Sequence, residues 1–241
     1  QGIAVDRDGN IYVSEYNDHR IRKFNSDGGY LQQFGTSRGS GDTQLYYPRD
    51  VGVDVTGNVY ILDYSNHRIV KYDAAGNYVM KWGSSGDGEG QFKTPYGIYV
   101  DEEGTVYVAD SGNHRVVKYD SEGVIKGYIT GLNGPYDVAV DTRGDIYIVN
   151  RNAKKIVVYD RYFNYLREFG SFTYYPYQID VDSRGNIYVS DYQQNKSSRI
   201  RVYNREGVEQ TALTGTYSGY GVALSGDGRV YFSQYSNSSS Y

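Results

Sequence analysis

The chain has 241 residues and no cysteine, which excludes disulfides and thiolate metal sites. Its 25 Lys and Arg against 29 Asp and Glu give a formal net charge of −4, and a mildly acidic chain is a poor candidate for general binding to a phosphate backbone. No apolar run approaches the ~20 residues that a membrane-spanning helix needs. The unusual count is 30 Tyr, against 7 Phe and 1 Trp.

Short segments that alternate between apolar and polar residues begin near the N-terminus and predict β-strands rather than helices. An apolar strand at 3–5 precedes an Asp-x-x-Gly turn, in which glycine supplies the positive φ that the turn requires. A second strand follows in NIYVSE at 10–15. A third strand follows an Asn-His-Arg segment, as in IVKY at 69–72, and a fourth follows another glycine turn, as in YVMKW at 78–82.

This group of four predicted strands recurs along the whole chain. Copies start near residues 2, 50, 97, 137, 178 and 221, with 40 to 48 residues between equivalent positions. Four antiparallel strands repeating at this period are typical of a β-propeller blade. The sequence therefore predicts a single all-β propeller domain over 1–241, in which the last repeat is truncated.

Two segments carry a family signature, DYSNHRIVKY at 63–72 and DSGNHRVVKY at 110–119. Together with GNVYI and GTVYV, which precede them, they resemble NHL repeats. The resemblance implies a six-bladed propeller of NHL type, with five complete four-stranded repeats plus an incomplete sixth. We expect that the chain is a fragment of a longer one, or that a strand from a partner completes the sixth blade, because an open two-stranded blade leaves an unpaired edge.

The tyrosines fall into two groups. One group recurs at mid-strand in every copy and is expected to be structural: Tyr12, Tyr60, Tyr107, Tyr147, Tyr188 and Tyr231. The other lies in loops that the strand directions bring to one face. There the residues just before each first strand are predicted to ring the mouth of the central channel as a ligand-binding site: Arg49, Tyr96, Tyr136, Tyr177 and Tyr220. The residues predicted to flank them in the outer loops are Tyr16, Tyr64, Tyr192 and Tyr235.

Candidate catalytic residues are few. The three histidines, His19, His67 and His114, share one repeat position, which indicates a scaffold role. The arginine after each histidine follows an acidic residue by five positions, as in Asp63 and Arg68, and these pairs are predicted to brace the loop. No phosphate-binding, nucleophile or zinc-protease motif is present. We therefore expect no metal site, no cofactor and no enzymatic activity.

These observations predict a binding or scaffold module that recognises a protein, peptide or glycan through its tyrosine-rich face. The resemblance also implies two alternatives. NHL domains of regulatory proteins bind single-stranded RNA, but through a basic face, and the predicted ring offers only Arg49. Related propeller lyases use channel-facing histidines as metal ligands, and the ring positions hold none. Loops rich in Tyr, Ser, Asn and Gly favour an extracellular or cell-surface location, and the sequons at Asn195 and Asn237 permit glycosylation there.

Overall fold

The computed structural model describes residues 2–192, 199–214 and 221–233. These residues form successive four-stranded antiparallel sheets, in which each strand pairs with the next along the chain. The first strands of successive blades lie side by side around a central axis. The prediction of an all-β propeller is therefore confirmed.

The strand bounds follow the repeat closely. Blade 1 contains β1 (Ile3–Val5), β2 (Ile11–Glu15), β3 (Arg20–Phe24) and β4 (Tyr30–Phe34). Blade 2 contains β5 (Pro48–Val53), β6 (Val59–Asp63), β7 (Arg68–Tyr72) and β8 (Tyr78–Trp82). The linker that follows holds a short parallel pair, β9 (Ser84–Ser85) and β10 (Gln91–Phe92).

The next three blades have the same strand order. Blade 3 contains β11 (Pro95–Val100), β12 (Val106–Asp110), β13 (Arg115–Tyr119) and β14 (Ile125–Ile129). Blade 4 contains β15 (Pro135–Val140), β16 (Ile146–Asn150), β17 (Lys155–Tyr159) and β18 (Tyr165–Phe169). Blade 5 contains β19 (Pro176–Val181), β20 (Ile187–Asp191), β21 (Arg199–Tyr203) and β22 (Glu209–Thr214).

The predicted blade number is corrected. The described residues form five blades, not six, and the sixth repeat contributes only a two-stranded hairpin, β23 (Val222–Leu224) and β24 (Val230–Phe232). A blade requires four paired strands, and residues 221–233 supply two. The hairpin packs between β19 and β1, and the Leu224 N–H donates to Asp180 Oδ2 at 2.7 Å.

The hydrophobic core lies between neighbouring blades. Each cluster of buried side chains draws on two adjacent sheets, and the cluster between blades 1 and 2 includes Tyr12, Phe34, Ile61 and Tyr72. The Phe34 and Tyr72 rings meet nearly edge to face, with centroids 5.4 Å apart. No helix in the part of the chain that the structure describes is long and apolar enough to cross a membrane.

The recurrent mid-strand tyrosine braces the first turn of its blade. Tyr60 is fully buried, and its hydroxyl donates to Asp54 Oδ2 at 3.1 Å. The hydroxyl of Tyr119 is also buried, but it has no hydrogen-bond partner among the described residues. Tyr60→Phe is therefore expected to lower the free energy of unfolding by about 1–2 kcal/mol, and Tyr119→Phe by less than about 0.5 kcal/mol. Urea denaturation of the two variants checks this, and equal losses would contradict it.

In blades 1 and 3 the histidine joins its blade to the linker that follows, whereas the buried Nδ1 of His67 in blade 2 has no hydrogen-bond partner among the described residues. His19 closes a 3₁₀ turn with φ 58°, and its Nδ1 accepts the Tyr47 N–H at 3.1 Å. His114 does the same for the Gly134 N–H at 3.3 Å. In blade 4 the equivalent Lys154 donates from its ammonium group to a linker carbonyl instead. The geometry of His19 and His114 agrees with the predicted scaffold role.

Candidate functional site

A β-bulge near the start of the first strand sets the direction of the predicted ring residues. In β5 the pairing register shifts between Pro48 and Asp50, so that Arg49 has no partner in β6. Bulges lie at the equivalent positions of β11, β15 and β19 and include Tyr96, Tyr136 and Tyr177. A bulge re-aims a side chain out of the regular alternation. The sequence placed these residues before the strand, whereas they lie inside it.

Five tyrosines form a continuous series of ring contacts around the mouth. The Tyr64 and Tyr96 rings are nearly parallel at 9°, with centroids 5.8 Å apart. Tyr96 and Tyr136 lie at 4.7 Å, and Tyr136 and Tyr177 meet edge to face at 5.1 Å. Tyr192 continues the series at 5.9 Å from Tyr177. Aromatic pairs of this kind contribute stabilisation in addition to that of the apolar area that they bury.

Of the remaining predicted site residues, one extends this series and two lie outside the part of the chain that the structure describes. Tyr16 lies 6.4 Å from Tyr64 and stacks on Tyr47 at 4.5 Å. Tyr220 and Tyr235 lie outside the described residues. The structure therefore brings seven of the nine predicted site residues to one end of the channel, namely Arg49, Tyr16, Tyr64, Tyr96, Tyr136, Tyr177 and Tyr192.

Arg49 lies over the faces of these rings. Its guanidinium carbon is 4.2 Å from the centroid of Tyr96 and 5.4 Å from those of Tyr64 and Tyr136. The same group donates a hydrogen bond to the Tyr136 hydroxyl. Cation–π contacts of this kind hold the arginine in place while leaving most of its N–H groups unused.

Arg151 also contacts these rings, although the sequence placed it only in an outer loop of this face and not among the predicted site residues. It opens the 3₁₀ turn Arg151–Ala153, at the repeat position where blade 2 has Tyr64. Its guanidinium carbon lies 4.3 Å from the Tyr175 centroid, 4.9 Å from that of Tyr177 and 5.1 Å from that of Tyr136. The sequence shows arginine at the position where blade 2 has a tyrosine of this face. It does not show that the arginine side chain reaches the tyrosines around the channel mouth, because that contact involves the neighbouring blade.

We call this assembly the mouth surface. Its members are Arg49, Tyr64, Tyr96, Tyr136, Arg151, Tyr175, Tyr177 and Tyr192. At its centre is a cavity of about 310 Å³ lined by Gly2, Arg49, Tyr96, Tyr136, Arg151, Tyr177 and Gln178. Tyr136 is the most enclosed of the cavity tyrosines, with 8% of its surface exposed, and burial raises its pKa even though Arg49 opposes the rise. Its hydroxyl therefore stays protonated at neutral pH.

The opposite end of the channel is acidic. A second cavity of about 680 Å³ opens there, and its wall includes Asp50, Asp137 and Asp180. Asp50 Oδ2 accepts the Ile98 N–H at 3.0 Å, and Asp137 Oδ2 accepts the Ile179 N–H at 2.9 Å. Gln178 borders both cavities and separates the aromatic end from the acidic end.

Two glycines make room for the buried carboxyl groups. A Cβ atom at Gly2 would collide with the Asp50 carboxylate, and one at Gly97 would collide with that of Asp137. Each glycine occupies, in the preceding blade, the repeat position of the aspartate that it faces. Gly and Asp therefore alternate at this repeat position in blades 1 to 4 because the strands packed around the channel axis leave no room for a second side chain.

Burial changes the titration of these acids. It raises the pKa of Asp50 to about 6 and that of Asp180 to about 7. The pKa of Asp137 lies well above its usual range because the side chain is buried and the Asp50 charge lies nearby. Across 2–192, 199–214 and 221–233, no three His, Asp or Glu side chains are grouped so as to hold a metal ion.

Solved structures of similar shape include both enzymes and a protein complex. A streptogramin B lyase aligns with a TM-score of 0.68 at 16% identity, over 97% of this chain and 89% of that one. A gluconolactonase from Xanthomonas campestris aligns with a TM-score of 0.76 at 12% identity, over 97% and 82%. A nidogen/laminin complex aligns with a TM-score of 0.72 at 17% identity, over 92% and 83%. At these identities the likeness shows the fold alone.

The expectation that the chain has no enzymatic activity is corrected by these likenesses. A streptogramin B lyase and a gluconolactonase share the propeller fold, so this fold is compatible with catalysis as well as with binding. The expectation was drawn from missing motifs, which do not transfer between enzymes of one fold.

The sequence comparisons bear on the family. No curated protein sequence matches the chain. The family model described as the NHL repeat matches residues 1–24, 45–72 and 92–119, which lie within repeats one to three and the linkers that join them. These matches fall on the segments whose strands build blades 1 to 3, and the remaining repeats continue the same propeller. Three repeats of the chain therefore carry the NHL-repeat pattern, and the described residues form a β-propeller.

Proposed function

We propose that the chain is a recognition module that binds a segment of a protein or peptide on the mouth surface. The observation that carries this proposal is the unbroken series of tyrosine rings from Tyr64 to Tyr192 around an open cavity. Rings that served only to fill the core would be expected to lie wholly inside blade interfaces. Tyr96 and Tyr177 are instead only half-buried and line the cavity.

Tyrosine suits this task for a physical reason. It offers a large contact area with few rotatable bonds, and its hydroxyl forms hydrogen bonds at the edge of an apolar contact. The ring contacts restrict these side chains before any ligand arrives, which lowers the entropy lost on binding. A pre-ordered aromatic surface of this kind fits an extended peptide that inserts one side chain into the cavity.

A protein partner is favoured over the other classes by two observations. One solved structure of similar shape is a complex of nidogen with laminin, both of which are proteins, and it supports a protein partner for a propeller of this form. The cavity of about 310 Å³ is at the small end of ligand pockets and has room for a side chain rather than an oligosaccharide. An extracellular or cell-surface location belongs to this proposal and is supported by the Tyr-, Ser- and Gly-rich loops.

The test compares the wild type with Tyr96→Ser and Tyr177→Ser on one array of peptides, glycans and single-stranded RNA. Both substitutions remove a half-buried ring, and each is expected to weaken peptide binding about tenfold or more. Tyr162→Ser is the matched control, because Tyr162 is 78% exposed on an outer turn away from the mouth. It is expected to leave binding unchanged.

Thermal unfolding of each variant separates lost recognition from lost folding. Stable variants that keep full peptide binding would contradict the proposal, as would a wild type that binds no peptide. Binding to RNA alone would favour the alternative, in which bases stack on the tyrosine and arginine planes. Such binding would weaken steeply as salt rises.

A further inference from the structure

We infer that the mouth surface selects a carboxylate of the bound peptide, either an Asp or Glu side chain or a free C-terminus, through Arg49 and Arg151. This inference rests on the proposed function and names the ligand chemistry of the same site. Its basis is the presence of two guanidinium groups in one small aromatic cavity without a matching acid.

The two arginines converge on one ring. Their guanidinium carbons lie 5.4 Å and 5.1 Å from the centroid of Tyr136. No described carboxylate lies within ion-pair distance of either group, and no acidic residue lines the cavity in the described part of the chain. Two like charges in a half-buried site repel each other, and an anion between them removes that cost.

The hydrogen-bonding capacity of the pair is largely unused. Each guanidinium has five N–H donors, and the structure gives Arg49 one hydrogen bond, to Tyr136, and Arg151 one, to the Tyr177 hydroxyl at 3.3 Å. Arg151 Nε is buried without a partner among the described residues. Arg68, by contrast, donates to one carboxylate and three carbonyls.

A cationic or neutral ligand fits this cavity less well. The faces of Tyr96 and Tyr136 that would attract a cation are already approached by the guanidinium groups. A neutral amide would leave both charges uncompensated. The guanidinium fork matches a carboxylate in geometry as well as in charge, and such hydrogen bonds are stronger than neutral ones.

The nearby acids do not neutralise the pair. Asp50 and Asp137 line the other cavity and accept backbone N–H groups of the next blade. The chain has a formal net charge of −4, so the two arginines give the mouth the opposite sign to the net charge of the chain. A carboxylate is therefore drawn to this end of the channel and repelled by the other.

The experiment uses the full chain and an array of peptide pairs that differ in one group only. The pairs are Glu against Gln, Asp against Asn, and a free against an amidated C-terminus, with sialylated and neutral glycans and oligouridine on the same array. We expect the wild type to bind the acidic member of a pair about tenfold to a hundredfold more tightly. Arg49→Gln and Arg151→Gln should each reduce this preference, and Arg143→Gln, on the opposite turn face, is the control of equal charge change.

The outcomes distinguish the two proposals. Peptide binding that depends on Tyr96 but shows no preference for the acidic member would overturn the carboxylate inference and leave the proposed function intact. Binding to sialylated glycans alone would show that the carboxylate belongs to a glycan and not to a peptide. No binding to any member of the array would overturn both the proposed function and the carboxylate inference. If an arginine variant fails to fold, the salt dependence of the wild type decides, because an affinity for acidic peptides that is constant from 50 to 500 mM NaCl contradicts an ion-pair anchor.

Discussion

Replacing Arg68 with alanine is expected to lower the free energy of unfolding by about 3–5 kcal/mol, since it leaves a buried charge without its partner. Asp63 is 0% exposed, and its Oδ2 accepts the Arg68 Nε–H at 2.8 Å. The same guanidinium donates to the carbonyls of Ser40, Gly41 and Gln44 in the linker between blades 1 and 2. The alanine variant loses all four hydrogen bonds and releases the linker.

The repeat itself provides the control for this prediction. Arg20 occupies the same position in blade 1, but its side chain is 34% exposed and bonds to Glu15 and Asp18 rather than to linker carbonyls. Arg20→Ala is expected to cost less than about 1 kcal/mol, because this ion pair is only partly buried and Glu15 keeps Arg22 as a partner. Denaturant unfolding of both variants gives the comparison, and equal losses would show that Arg68 does not hold a buried charge.

The Arg68 variant should also depend on pH in a defined direction. Burial already raises the pKa of Asp63, and Arg68 is among the groups that oppose the rise. Without Arg68 the pKa of Asp63 rises further, so protonation of Asp63 relieves the unpaired charge as the pH falls. The loss of stability should therefore be smaller at pH 5 than at pH 8.

The strands and the scaffold pairs could be predicted from the sequence because they depend on local patterns. Period-two alternation and glycine turns recur in each copy, and the predicted pair of Asp63 with Arg68 forms at 2.8 Å. The ring positions could be predicted for the same reason, since each occupies a fixed place in the repeat. Tyr96, Tyr136 and Tyr177 accordingly come together at the channel mouth.

Features that depend on contacts between blades could not be predicted. The repeat count predicted six blades, whereas blade completion depends on which strands pair, and the described part of the sixth repeat pairs only two. Arg151 enters the site because a long side chain reaches rings of the next blade. The pairing of Gly2 with Asp50 spans two blades. Periodicity within one repeat contains no information on either contact.

The buried acids of the channel, Asp50 and Asp180, are expected to make the free energy of unfolding fall as the pH rises from about 4 to 7. A group that binds protons more tightly in the folded state than in the unfolded state makes the free energy of unfolding fall by about 1.4 kcal/mol per pH unit. Burial gives Asp50 this property, with a pKa of about 6 in place of 3.8. Asp180, with a pKa of about 7, acts in the same direction.

Asp50→Asn isolates this contribution. The amide oxygen can still accept the Ile98 N–H, so the variant keeps this hydrogen bond to the next blade. Because the amide does not titrate, the unfolding free energy of the variant relative to the wild type should rise by about 2–3 kcal/mol between pH 4 and pH 7. Urea denaturation across that range measures the difference, and parallel profiles would contradict a raised pKa at Asp50.

An exposed aspartate provides the control of opposite sign. The Lys126 ammonium lies 2.7 Å from Asp120 and, with the Val124 N–H, lowers the pKa of that carboxyl. Its ionised form is therefore the favoured one in the folded state. Asp120→Asn should lose stability relative to the wild type as the pH rises through the acid range, whereas Asp50→Asn should gain it. Opposite slopes for the same chemical change would show that the channel, and not the substitution itself, reverses the usual acid dependence of an aspartate.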